Sequence, residues 1–87
     1  MKVKSGFVVR AVGDEHIAVP IGDRAKEFHG MIKLNETAEF LWSFFKDEHT
    51  EEEGVKALTE TYDVSDEEAK NGVSNFVKTM TEHGFME

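Results

Sequence analysis

Apolar residues recur along this chain in two rhythms, and the change from one to the other falls near residue 35. Gly6–Val12, "GFVVRAV", is rich in β-branched and aromatic residues and predicts a strand. "GDE" at Gly13–Glu15 is a turn signal. In His16–Ile21, "HIAVPI", Ile17, Val19 and Ile21 alternate with His16, Ala18 and Pro20, the pattern of a second strand. Pro20 lacks an N–H to donate to a ladder, which places it near the strand's end. The two strands form a hairpin. "GDRAKEFHG" then reads as a polar connection, and Met31–Leu34, with a start as early as Phe28, as a third strand with Ile32 and Leu34 facing inward.

Beyond Leu34 the spacing becomes helical. Asn35 is a good N-cap, and Glu36 and Glu39 sit near the positive end of the helix that follows. Ala38, Leu41, Trp42 and Phe45 make its core stripe, with Phe40 and Phe44 on a second face. Such a helix is either buried on two sides or presents one side to a partner. Thr50 opens a second helix with the capping box Thr50-x-x-Glu53; its apolar face is thin, Val55, Leu58 and Tyr62, and Gly54 weakens its interior. Ser65 opens a third with Ser65-x-x-Glu68, carrying Ala69, Val73, Phe76, Val77 and Met80 in one stripe. Gly84 is placed to end it, letting Phe85 and Met86 fold back onto the core. The order is a three-stranded antiparallel sheet followed by three helices: an α+β, winged helix-turn-helix-like arrangement.

The 87 residues fit one domain, 1–87, with one modest core. No apolar run is long enough to cross a membrane, and "MKVKSGFVVR" lacks the apolar region of a secretory signal. There are no cysteines, which excludes disulfides, thiolate zinc sites and iron–sulfur ligation by this chain. These features fit a cytoplasmic protein. None of the common nucleophile, metallohydrolase, P-loop or dinucleotide signatures occurs. His16, His29, His49 and His83 stand apart without ligand spacing, and "KDEHTEEE" reads as a solvated turn and capped helix start. The chain is therefore expected to be no enzyme and to need no metal or cofactor. Eighteen acidic residues against ten basic ones give a net charge of −8. That balance bears on the winged-helix alternative, a nucleic-acid-binding regulator. The third helix, its would-be reader of bases, has no arginine and sets Asp66, Glu67, Glu68 and Glu82 against Lys70 and Lys78.

Two stretches carry a resemblance: the strand-to-helix junction "LNETAEFLW" and "YDVSDEEA", the start of the third helix. Within "FVVRAVGDEHIAVPIGDRAKEFHGMIKLNETAEFLW" and "YDVSDEEAKNGVSNFVKTM", the chain resembles the PqqD-like family, small peptide chaperones also called RiPP recognition elements. One departure is "NGV", Asn71–Val73, where the family pattern has an acidic residue at the Gly72 position. The resemblance implies a non-catalytic domain that binds the leader of a ribosomally made precursor peptide. It presents the peptide to a modifying enzyme, often a radical SAM enzyme. The leader is expected to add to the third strand, at His29, Gly30, Met31, Ile32, Lys33 and Leu34, and to lie beside the third helix. That helix has two flanks about Val73: Lys70, Ser74, Val77, Lys78 and Thr81 on one, Gly72, Thr79 and His83 on the other. The lysine flank is the expected peptide-facing one, with Lys33, Lys70 and Lys78 as positive points for leader carboxylates. An open sheet edge also allows either a monomer or an edge-strand homodimer.

Overall fold

The computed structural model describes residues 1–27 and 31–87. β1 (Phe7–Val12) and β2 (Glu15–Pro20) form the antiparallel hairpin, paired from Val12↔Glu15 to Phe7↔Pro20. Their two-residue turn starts at Gly13, whose φ of +63° is followed by a residue of negative φ. That is the type II′ pattern, which suits the twist of the strands it joins. β3 (Ile32–Leu34) pairs antiparallel with β2, and the strand order β1-β2-β3 puts it at an edge.

The polar connection contains one element that its sequence does not announce, the single turn α1 (Arg24–Glu27). It is started by i→i−3 bonds: Arg24, Ala25 and Lys26 N–H donate to the carbonyls of Ile21, Gly22 and Asp23. One turn is too short to leave a hydrophobic period. Three helices follow β3: α2 (Glu36–Phe44), α3 (Glu51–Thr61) and α4 (Asp66–Glu82).

Each long helix starts where a side chain takes up a free N–H. Asn35 Oδ1 accepts from Ala38 N–H at 2.8 Å, Thr50 Oγ1 from Glu53 N–H at 3.2 Å, and Ser65 Oγ from Glu68 N–H at 3.1 Å. At Thr50 the box is reciprocal, Thr50 N–H donating to Glu53 Oε1 at 2.8 Å. At Ser65 it is not: Glu68 Oε1 accepts from the Ser65 hydroxyl at 3.2 Å, so the expected return bond to the backbone is replaced. α4 ends in a Schellman motif. Gly84 has φ +77°, its N–H donates to Thr81 O at 3.0 Å, and Phe85 N–H donates to Met80 O at 2.8 Å.

That reversal drives Phe85 into the core, where its ring stacks on Phe7 at 4.2 Å and meets the edge of Trp42 at 6.0 Å. Leu41, Trp42, Phe45, Val73 and Met80 are fully buried. Phe45, the C-cap of α2, stacks on Phe76 at 6.1 Å, tying that end of the helix to α4. The second apolar face of α2 is covered too: Phe40 meets Tyr62 edge-on at 5.6 Å, and Phe44 stacks on His49 at 4.0 Å. Helix α2 is thus packed on two sides. The N-terminal residues run beside the C-terminal ones, Val3 bridging to Met86 and Val3 N–H donating to Phe45 O at 2.8 Å.

Gly54 in α3 is explained by this packing. A Cβ there would lie 3.0 Å from Cζ of the buried Phe45 ring. Overpacking costs about 1–3 kcal/mol, which exceeds the roughly 1 kcal/mol that alanine gains over glycine in a helix. Gly54→Ala is expected to lower the thermal midpoint, and Gly54→Leu to lower it further. A second expectation concerns acid. The Thr50 N–H bond, aided by nearby His49, holds the Glu53 carboxyl below the ordinary glutamate value. A lowered folded-state value means stabilisation that is complete above the unfolded value and lost as pH falls through the folded one. Glu53→Gln should flatten the acid limb of the stability–pH curve, measured by urea unfolding at stepped pH.

Candidate functional site

Leu34 ends β3 and the next residue, Asn35, caps α2. With no linker between them, the sheet edge and α2 stand at one fixed spacing, and α4 closes the far side. The result is a cleft of about 280 Å³. β3 supplies Ile32, Lys33 and Leu34; the junction and α2 supply Asn35, Thr37, Ala38 and Leu41; α4 supplies Gly72, Asn75, Phe76, Thr79 and Met80. The aliphatic and aromatic groups belong to core residues or to residues packed on the core. Asn35, Thr37, Asn75 and Thr79 bring neutral hydrogen-bonding groups. Among the described residues Lys33 is the one charged residue of the lining, and its Nζ lies 3.3 Å from Glu15 Oε1. Glu15 belongs to the sheet face turned away from the helices.

The backbone of β3 decides what the edge offers. In the hairpin, bonded pairs alternate outward from Val12↔Glu15, so the odd-numbered residues of β2 turn their N–H and C=O towards β1. Ile21 N–H, donating to Gly6 O at 2.8 Å, continues that alternation. His16 and Ala18 therefore bond to β3, at Leu34 and Ile32. The N–H and C=O of Lys33, between those pairs, point away from the sheet. Among the described residues no strand pairs with this outer edge.

Past the end of β3 the cleft leads into a second hollow that shares Leu34 and Asn35 with it and adds Asp14, His16, Glu36, Glu39, Phe40 and Tyr62. His16 Nδ1 and Glu39 Oε2 lie 2.8 Å apart and tie β2 to α2. Burial, then the carboxylates of Glu36 and Glu39, push the Tyr62 phenol above its ordinary value.

The expected site residues separate into groups. Ile32 and Leu34 face inward: Leu34 is buried and Ile32 packs on the core, with Lys33 turned outward. Met31 precedes β3 and is 62% exposed. His29 and Gly30 lie outside the described residues. On α4 the placement differs from the expectation. The flank beside β3 is the one with Gly72 and Thr79, not the lysine flank. Lys70 and Ser74 line another hollow, with Glu51, Glu52, Val55 and Asn71, on the α3 side. Val73 is fully buried, Val77 packs on the core, and Lys78 and Thr81 are exposed without lining the cleft. The reason is tertiary: α3 returns into α4 through the short turn Tyr62–Ser65, so α4 gives one flank to α3 and leaves the other for the sheet edge. Asn75, Phe76 and Met80, and the α2 residues Thr37, Ala38 and Leu41, were not among the expected site residues. The signal for α2 was the missing linker at Asn35; for α4 it was the core stripe itself, whose border forms the wall.

An α+β domain with strands first and capped helices after, an open sheet edge and a mostly neutral cleft beside it defines a class of small winged-helix-like proteins. The chain belongs to one family of that class: the family model of coenzyme PQQ synthesis protein D (PqqD) matches residues 15–86. The fold is also similar to that of TbiB1, solved in complex with the TbiA(beta) leader peptide. The TM-score is 0.74 and the identity 18%, covering 100% of this chain and 95% of that one. No curated protein sequence matches the chain.

The junction itself is testable. Asn35→Ala removes the cap that sets α2 against β3 and is expected to cost about 0.5–2 kcal/mol of stability in denaturant unfolding. Asn35→Asp should recover most of it, because its carboxylate accepts the same N–H.

Proposed function

We propose that this protein is a non-catalytic, cytoplasmic peptide-binding module. It takes the leader segment of a ribosomally made precursor as a fourth strand on β3 and presents the rest of that peptide to a modifying enzyme, with a radical SAM enzyme as the leading type. The observation that carries this reading is the outward-facing backbone of β3 beside a cleft whose described lining residues include one charged residue, in a protein of 28 charged residues. Family membership and the likeness to a leader-bound structure support it.

Strand addition uses what the edge supplies. Each backbone hydrogen bond contributes about 0.5–1.5 kcal/mol net and fixes register with little demand on sequence. An antiparallel guest runs opposite to β3. Its residues opposite Ile32 and Leu34 turn into the cleft, and the one opposite Lys33 turns to the outer face. The tight junction at Asn35 keeps the groove formed before the peptide arrives, so less ordering free energy is lost on docking. The lysine flank of α4 has no part in this version of the site.

The test is Lys33→Pro, read by amide chemical-shift titration with leader-derived dodecapeptides. Proline removes the outward N–H and puts its ring where the guest backbone would lie, at an edge position that a sheet tolerates. The expected outcome is a folded protein whose affinity falls at least tenfold, while Lys33→Ala binds normally. Salt separates this reading from nucleic-acid binding. A protein making several phosphate contacts loses about 10³–10⁵ in affinity between 50 and 200 mM salt. Here the change should be within about threefold, because the cleft is nearly free of charge.

A further inference from the structure

Two glycines occupy helix interiors, where glycine is a poor helix former, and only one is accounted for by the fold. Gly54 is required: a Cβ would press on the buried Phe45 ring at 3.0 Å. At Gly72 the backbone needs no positive φ, and the nearest atom to an added Cβ is Leu58 Cδ1 at 3.8 Å, an ordinary contact. Packing thus leaves Gly72 free to be alanine, yet it stands in the α4 wall of the cleft, opposite Ile32 and Leu34. Beyond that contact with the buried Leu58 of α3, no described atom outside the backbone of α4 and the two adjoining residues lies within 4 Å of where the Cβ would stand.

We propose that Gly72 sets the specificity of the cleft: the notch it leaves in the α4 wall receives one bulky apolar side chain of the bound peptide. The proposal rests on strand addition at β3, which turns alternate guest side chains into the cleft, towards α4. Among the described lining residues Ile32, Leu34, Leu41, Phe76 and Met80 are apolar, Phe76 one helical turn from Gly72, so a large aliphatic or aromatic side chain is what the notch admits. A charged one would lose its hydration, and the one charged residue among the described lining residues, Lys33, is turned to the outer face beside Glu15.

The experiment uses the whole protein and a displayed library of dodecapeptides, selected separately on wild type, Gly72→Ala and Gly72→Leu. Wild type should enrich peptides with Leu, Ile, Met or Phe at one inward position. Gly72→Leu should shift that position to Ala, Ser or Gly. A peptide selected on wild type should bind Gly72→Leu at least tenfold more weakly and Gly72→Ala a few-fold more weakly. Trimming its bulky residue to Ala should recover most of the loss against Gly72→Leu. Thermal unfolding guards against a folding defect: Gly72→Ala should melt a few degrees higher than wild type. Identical selections on all three proteins, or a loss that trimming the peptide does not recover, overturn the role of Gly72 while leaving strand addition in place. Failure of wild type to enrich any peptide that Lys33→Pro releases overturns both.

Discussion

Leu34 and Asn35 are neighbours in the chain, and that adjacency governs the molecule. A sheet edge and a helix start share one peptide bond, so neither can shift without the other. The side chain of Leu34 anchors the strand in the core while that of Asn35 caps the helix. The space between β3 and α4 is thereby set by the packing of α2, whose Leu41 and Trp42, with Phe45 at its C-cap, are among the most buried residues. His16 and Glu39 add a second tie between sheet and helix at the same corner. The cleft is accordingly a by-product of the core rather than a loop-built pocket.

Charge is distributed to match. With 18 acidic residues against 10 basic ones, much of the surface repels anions, but apart from Lys33 the described residues of the cleft wall bring amides, hydroxyls and hydrocarbon. Eight of the acidic groups stand at helix starts, Glu36 and Glu39, Glu51–Glu53, and Asp66–Glu68, where they suit the positive ends of the helices. Their placement answers to helix stability, and it keeps α4 unsuited to a phosphate backbone.

How much of this is legible in the chain depends on the range of the interaction involved. The caps at Asn35, Thr50 and Ser65 and the stop at Gly84 can be read because each is a bond between residues three to five positions apart. α1 escapes notice because one turn has no period. The alternation in β2 separates Ile17 and Val19 from Ala18, but not which set meets the helices. The small Ala18 does, joining the cluster that holds Phe7 and Trp42. The flanks of α4 are equivalent in sequence, since a periodic stripe has two borders. The path of α3 decides which border meets β3, and that is a contact between distant residues. Gly54 and Gly72 look alike as letters and differ only in what surrounds them.

The pleat of β3 has a consequence for the proposed strand addition. Lys33 shows on the sheet face away from the helices, with Arg10, Val12 and Glu15 of the hairpin on that same side, Val12 being 58% exposed. A guest strand laid along β3 must expose every second residue on that side. Carrier and cargo would then form one composite epitope, present only while both are together. An enzyme that recognises this mixed surface would engage loaded carriers and ignore empty ones, a coincidence check that needs no moving part.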